Sequence, residues 1–114
     1  MASAFSNPRF LIERRSDKVN VDLSALKVLD ESTAQEIRQP LLSLAKEIGA
    51  GHLSINLKGI EYITSSMLET LIQMNRHFKA LGGKLTLHHL QPQVAEVFEV
   101  TKLTELFEIH PAEE

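Results

Sequence analysis

Residues 53–69 read LSINLKGIEYITSSMLE, and the change of period inside this stretch decides the fold. In residues 53–57, Leu53, Ile55 and Leu57 alternate with Ser54 and Asn56, the two-residue period of a strand that buries one face. Residues 58–63 make a short connection. Beyond Thr64 the period lengthens, so that Leu68, Leu71, Ile72, Asn75 and Phe78 share one face of a helix. Gly82 and Gly83 stop it, as glycine does just past a helix end. A strand, a short loop and an amphipathic helix in succession form the repeating unit of a parallel α/β sheet.

The pattern continues in both directions. Upstream, Phe10, Leu11 and Ile12 form a short strand, the polar run 14–18 a turn, and Val19, Val21 and Leu23 alternate with Asn20 and Asp22. Two early strands joined tightly predict a hairpin. Asp30, Glu31 and Ser32 offer helix-start signals, and Ser32 with Gln35 has the spacing of a capping box. The first helix is expected to reach Ile48, with Ile37, Leu41, Leu44, Ala45 and Ile48 as its apolar stripe. Pro40 lies inside it and predicts a kink or a late start near Gln39, because proline lacks a backbone donor and crowds the preceding turn. Downstream, residues 84–90 alternate again, Gln91 and Pro92 break the run, and Val94, Val97, Phe98 and Thr101 give a third helical stripe. Leu103, Leu106, Phe107 and Ile109 close the core. The expected architecture is one α/β domain over 9–114, preceded by a loose tail at 1–8. Its sheet has four or five strands in mixed orientation, with helices mainly on one face.

Composition narrows the function. The 114 residues suffice for one core, and 43% hydrophobic with 24% charged residues is ordinary for a globular domain. Without cysteine there is no disulfide, thiolate metal site or cysteine nucleophile. A net charge of -3 and 5% aromatic residues supply neither a basic field nor stacking platforms for nucleic acid. No apolar run approaches the roughly 20 residues of a membrane span, and the N-terminus lacks the pattern of a signal peptide. The sequence therefore reads as a cytoplasmic protein that neither binds nucleic acid nor inserts into a membrane.

Catalytic machinery is not visible. The histidines, His52, His77, His88, His89 and His110, include no HxxxH pair, and His88 and His89 as strand neighbours are expected on opposite faces. Neither a metal nor a cofactor is expected. Glu96, Glu99, Glu105 and Glu108 recur as a solvated helical face, and Gly49, Gly51, Gly82 and Gly83 follow helices instead of preceding them as a phosphate loop would. One place concentrates signals: Thr64, Ser65 and Ser66 put consecutive hydroxyls at the start of the second helix. Capping accounts for one or two of them, with Thr64 or Ser65 as cap and Ser66 with Glu69 in capping-box spacing. An exposed serine at a helix N-terminus also suits a phosphate, since free backbone donors and the helix dipole favour an anion.

These residues resemble the STAS domain family, and in particular the stand-alone bacterial anti-sigma factor antagonists. The resemblance runs through Leu53, Leu57, Gly59, Ile60, Tyr62, Ile63, Ser65, Ser66 and Leu68, and again through Gly82, Gly83, Leu85, Pro92, Val94, Phe98, Leu103 and Phe107. It implies a non-enzymatic module that binds a protein partner, an anti-sigma factor that is itself a serine kinase, in a partner-switching pathway. It also implies phosphorylation at Ser65, ahead of Ser66 and Thr64. Thr64 stands where the family usually has aspartate, and Met67 where it usually has glycine. Met67 and Met74, seven residues apart, read either as an adaptable apolar contact patch or as core filling. The expected contact surface is Thr64, Ser65, Ser66, Met67, Thr70 and Met74. The alternative to the phosphate switch is a constitutive STAS subunit of a larger assembly, such as a stressosome-like scaffold or a lipid-transport complex.

Overall fold

The structure is a computed structural model that describes residues 11–15, 18–23, 26 and 28–111; the tail expected at 1–8 lies outside the described residues. In chain order the elements are β1 (Leu11–Arg15), β2 (Lys18–Asp22), β3 (Val28–Leu29), α1 (Glu31–Ile48), β4 (His52–Asn56), β5 (Tyr62–Ile63), α2 (Ser65–Leu81), β6 (Lys84–Leu90) and α3 (Pro92–Val100). A 3-10 turn, Leu103–Glu105, and β7 (Glu108–Pro111) follow.

The strand read at 53–57 is β4, the centre of a five-stranded sheet ordered β1-β2-β4-β6-β7. Its β1–β2 edge is the expected antiparallel hairpin, and its other pairings are parallel. Register places Val19, Leu53 and Leu85 in one row across the sheet, and Val21, Ile55 and Leu87 in the next. These six side chains are buried in one core with Ile37, Leu41 and Leu44 of α1 and Leu71, Met74 and Phe78 of α2. The alternate positions make the opposite face polar: Asn20, Ser54 and Thr86 in one row, Asp22, Asn56 and His88 in the next. Burying one apolar face of the sheet under two amphipathic helices gives the one-sided packing, at about 25 cal/mol for each Å² of apolar surface removed from water.

α1 and α2 run side by side in the same direction. Cross-helix contacts step along both from Ser66–Glu31, through Arg38–Gln73, to His77–Ala45. α1 begins earlier than the proline predicted and continues through Pro40. Its buried stripe Ala34, Ile37, Leu41 and Leu44 spans the proline, so the burial along both halves offsets the roughly 3 kcal/mol a helical proline costs. The cap is Asp30, whose Oδ1 accepts from the Thr33 N–H at 2.9 Å, so the Ser32–Gln35 box is not used; Gln35 donates instead to Glu31.

Three strands were not visible as such in the sequence. β7 adds the last parallel edge, and β3 and β5 form a separate two-residue parallel pairing, Val28↔Tyr62 and Leu29↔Ile63. Because β3 leads into α1 and β5 into α2, this pairing brings the two helix starts together. Among the described residues no helix is long and apolar enough to cross a membrane.

The opposite ends of the helices are held by close backbone contact. Lys84 N–H bonds to Gly51 O at 3.0 Å, and a Cβ on Gly83 would lie 2.7 Å from Gly51 O and 2.9 Å from Gly49 O. Backbone oxygens on two sides leave such a methyl nowhere to go. Gly83→Ala should therefore lower stability by roughly 1–3 kcal/mol, read as a lower urea midpoint with unchanged slope; an unchanged midpoint would show that the two connections can separate freely.

Candidate functional site

The junction between β5 and α2 gives its consecutive hydroxyls different environments. Thr64 has extended backbone angles (φ -94°, ψ 167°) and is the N-cap by position, but its side chain makes no capping hydrogen bond. Its Oγ1 is buried without a hydrogen-bond partner. Ser65 is the first helical residue, and it is exposed. Ser66 donates its hydroxyl to Glu31 Oε1 at 2.7 Å, a bond between the first turns of two helices. The capping box read for Ser66 and Glu69 is therefore replaced by a bond to α1, whose start the pairing of β3 with β5 brings beside that of α2.

The rest of the expected contact surface divides. Met67 and Met74 are fully buried and Thr70 is 3% exposed, so they cannot form a contact patch. The core-filling reading is the one the structure bears out. The seven-residue separation of the two methionines is the same period that carries Leu71 and Phe78 inward, which is why spacing alone left both readings open. Thr70 Oγ1 donates to Ser66 O at 3.2 Å within the helix.

What this end of the molecule exposes is Glu61, Tyr62, Ser65 and Glu69 on one helix start, with Glu31 and Gln35 on the other. Tyr62 is 56% exposed and is among the largest apolar side chains left in solvent. It was not read as a site residue, although an aromatic just before the hydroxyl run was a usable signal. A shallow cleft of about 110 Å³ runs between the helices, lined by Glu31, Arg38, Ser66, Glu69 and Gln73. Its far end is crossed by Arg38 Nη2 donating to Gln73 Oε1 at 3.4 Å. The surface around Ser65 is thus rich in carboxylates, with the N-terminus of α2 as its local positive pole.

The histidines differ from expectation. His89 has φ +62°, and the β6–β7 register shifts between His88 and Leu90. This bulge turns His89 onto the same side as His88, with ring centroids 6.3 Å apart. Strict alternation, which predicted opposite faces, fails at a bulge. Among the described residues no group of three or more potential ligands is arranged to hold a metal ion.

A family model for the STAS domain matches residues 15–114. The chain belongs to the STAS domain family. Among curated relatives, the anti-sigma-B factor antagonist of Bacillus subtilis is 24% identical over 98 residues, covering 86% of this chain and 88% of its own. A STAS-domain anti-sigma factor antagonist from Planctomyces limnophilus has the same fold, with a TM-score of 0.83, 20% identity and 91% of each chain covered. The Bacillus cell fate determinant SpoIIAA in its phosphorylated form matches with a TM-score of 0.67 and 19% identity, over 88% of this chain and 89% of that one. Mixed α/β architecture with a five-stranded sheet is thus the STAS fold, as the resemblance implied.

Two substitutions probe this STAS junction. Thr64→Val deletes a buried hydroxyl that has no partner, and should raise stability by about 1 kcal/mol; a comparable loss would mean that the hydroxyl is bonded in solution. Met67→Asp should cost several kcal/mol by placing a carboxylate in the core. Circular dichroism should show it unfolded or close to it, and a native melting curve would contradict the burial of Met67.

Proposed function

We propose that this STAS domain is an anti-sigma factor antagonist controlled by phosphorylation of Ser65, working in the bacterial cytoplasm by binding and not by catalysis. The observation that carries the reading is the contrast among adjacent hydroxyls: Thr64 Oγ1 is buried, Ser66 is committed to Glu31, and Ser65 is exposed at the start of α2. A kinase that approaches this end meets one hydroxyl free to react. The partner would be an anti-sigma factor that is itself a serine kinase and supplies ATP. The Ser65 oxygen attacks the γ-phosphorus, ADP leaves, and the hydroxyl proton passes to a base of the kinase.

Release follows from charge. A phosphate adds about -1.5 to -2 charges where Glu31, Glu61 and Glu69 already crowd the surface. On the free domain the N-terminus of α2 tolerates that anion. In a packed interface the same group must be desolvated beside carboxylates, which weakens the complex without a change of fold. Tyr62, exposed beside Ser65, supplies the apolar anchor that the buried methionines do not.

Affinity for the anti-sigma partner tests the reading. Ser65→Ala should bind as tightly as the unmodified protein and resist release by kinase and ATP, whereas Ser65→Asp should bind at least tenfold more weakly, the effect of about 1.4 kcal/mol. Equal binding by the two variants would instead support the constitutive subunit of a larger assembly, a stressosome-like scaffold or a lipid-transport complex.

A further inference from the structure

On the polar face of the sheet, away from Ser65, one buried hydroxyl is shared by two imidazoles. Thr86 is 1% exposed, and its Oγ1 lies 2.9 Å from His52 Nε2 and 2.9 Å from His88 Nε2. A hydroxyl has one proton, so it donates to one ring and accepts from the other. One of the two histidines therefore presents a bare Nε2 and the other an Nε2–H. The pair is fixed in complementary roles by Thr86, and cannot satisfy it when both rings are doubly protonated. His110 lies over His88 on the adjacent strand, with planes 5° apart and centroids 4.6 Å apart.

We propose that His52, Thr86, His88 and His110 form a proton-operated clasp that holds the edge strand β7 to the sheet while His88 is neutral, and loosens it when His88 takes up a proton. Among the described residues β7 pairs only with β6, and the His88–His110 stack closes that pairing next to the bulge. A charged His88 changes both contacts. Its Nε2 becomes a fixed donor to Thr86, so the hydroxyl proton must turn to His52 Nε2, and it has no acceptor left in the pair once His52 is protonated as well. A charged His88 also lies against His110, and two imidazolium rings in a stack repel.

The surroundings favour a neutral His88. Burial is the largest cause lowering its pKa from 6.5, followed by His110 on β7, Lys18 on β2, His89 on β6 and His52 on β4. None of these is a carboxylate. Among the described residues the acids on this face are Glu13 on β1, Asp22 on β2 and Glu108 on β7. Glu108 is taken up by His110 Nε2 at 3.0 Å and Lys84 Nζ at 3.2 Å. Its pKa is lowered, first by the hydrogen bond from His110 and then by that from Lys84, so it stays ionised through mild acid and keeps His110 in place for the stack. Because the folded pKa of His88 is depressed, the unfolded chain binds more protons below pH 6.5. This contribution to stability is full above that pH and lost as pH falls beneath it.

The test is an NMR titration of the full chain from pH 7.5 to 5, following the imidazole resonances and the amide exchange of β7 against that of central β4. The His88 midpoint should lie below 6.5. β7 amides should lose protection as pH falls while those of β4 keep theirs, the direction that a depressed folded pKa of His88 requires. In His110→Gln the His88 midpoint should rise and the selective loss at β7 should disappear. In Thr86→Val the titrations of His52 and His88 should become independent of each other. An ordinary His88 midpoint, equal acid response in β7 and β4, or an undiminished β7 response in His110→Gln would each overturn the clasp.

Discussion

A parallel pairing only two residues long, β3 with β5, governs the end of the molecule where the site lies. Each of these strands runs directly into a helix, so registering Val28 with Tyr62 and Leu29 with Ile63 fixes the level at which α1 and α2 begin. The helices then stay abreast over their lengths, from Ser66–Glu31 to His77–Ala45. Were β5 to slip by one residue, its alternation would invert and the Ser66 hydroxyl would lose its place opposite Glu31. The five-stranded sheet supplies the bulk of the core, but this short pairing aligns the surface.

That alignment explains how three neighbouring hydroxyls of similar chemistry come to be unequal. Thr64 is the last extended residue and turns its oxygen inward; Ser65 opens the helix outward; Ser66 points across to α1. The carboxylate that meets a serine here comes from Glu31, on the other helix, where the family usually keeps an aspartate at the position of Thr64. The buried methionines keep α2 seated, and the exposed side of its first turn is left to Ser65 and Glu69, with Tyr62 of β5 exposed just ahead of them in the chain.

Much of the fold was legible because it depends on periods. The two-residue alternation at 53–57 and 84–90 and the stripes of α1 and α2 specify which faces meet, and the hairpin, the parallel order and the position of Ser65 at the start of α2 follow from them. What escaped depends on contacts distant in sequence or on single backbone angles. β3 and β5 are too short to show a period, and the Ser66–Glu31 bond joins residues 35 apart. The turn of His89 toward His88 rests on one positive φ in a non-glycine residue, for which alternation gives no warning. The roles of Met67 and Met74 were open because a helical stripe looks the same whether a core or a partner covers it.

The most direct measurement is the site of phosphorylation itself. If the proposed switch operates, the purified protein, treated with a cognate anti-sigma serine kinase and ATP and then mapped by peptide mass spectrometry, should carry a single phosphate on Ser65 and none on Thr64 or Ser66. A phosphate on Ser66, whose hydroxyl the structure commits to Glu31, or none at all from a kinase active on other substrates, would contradict the account.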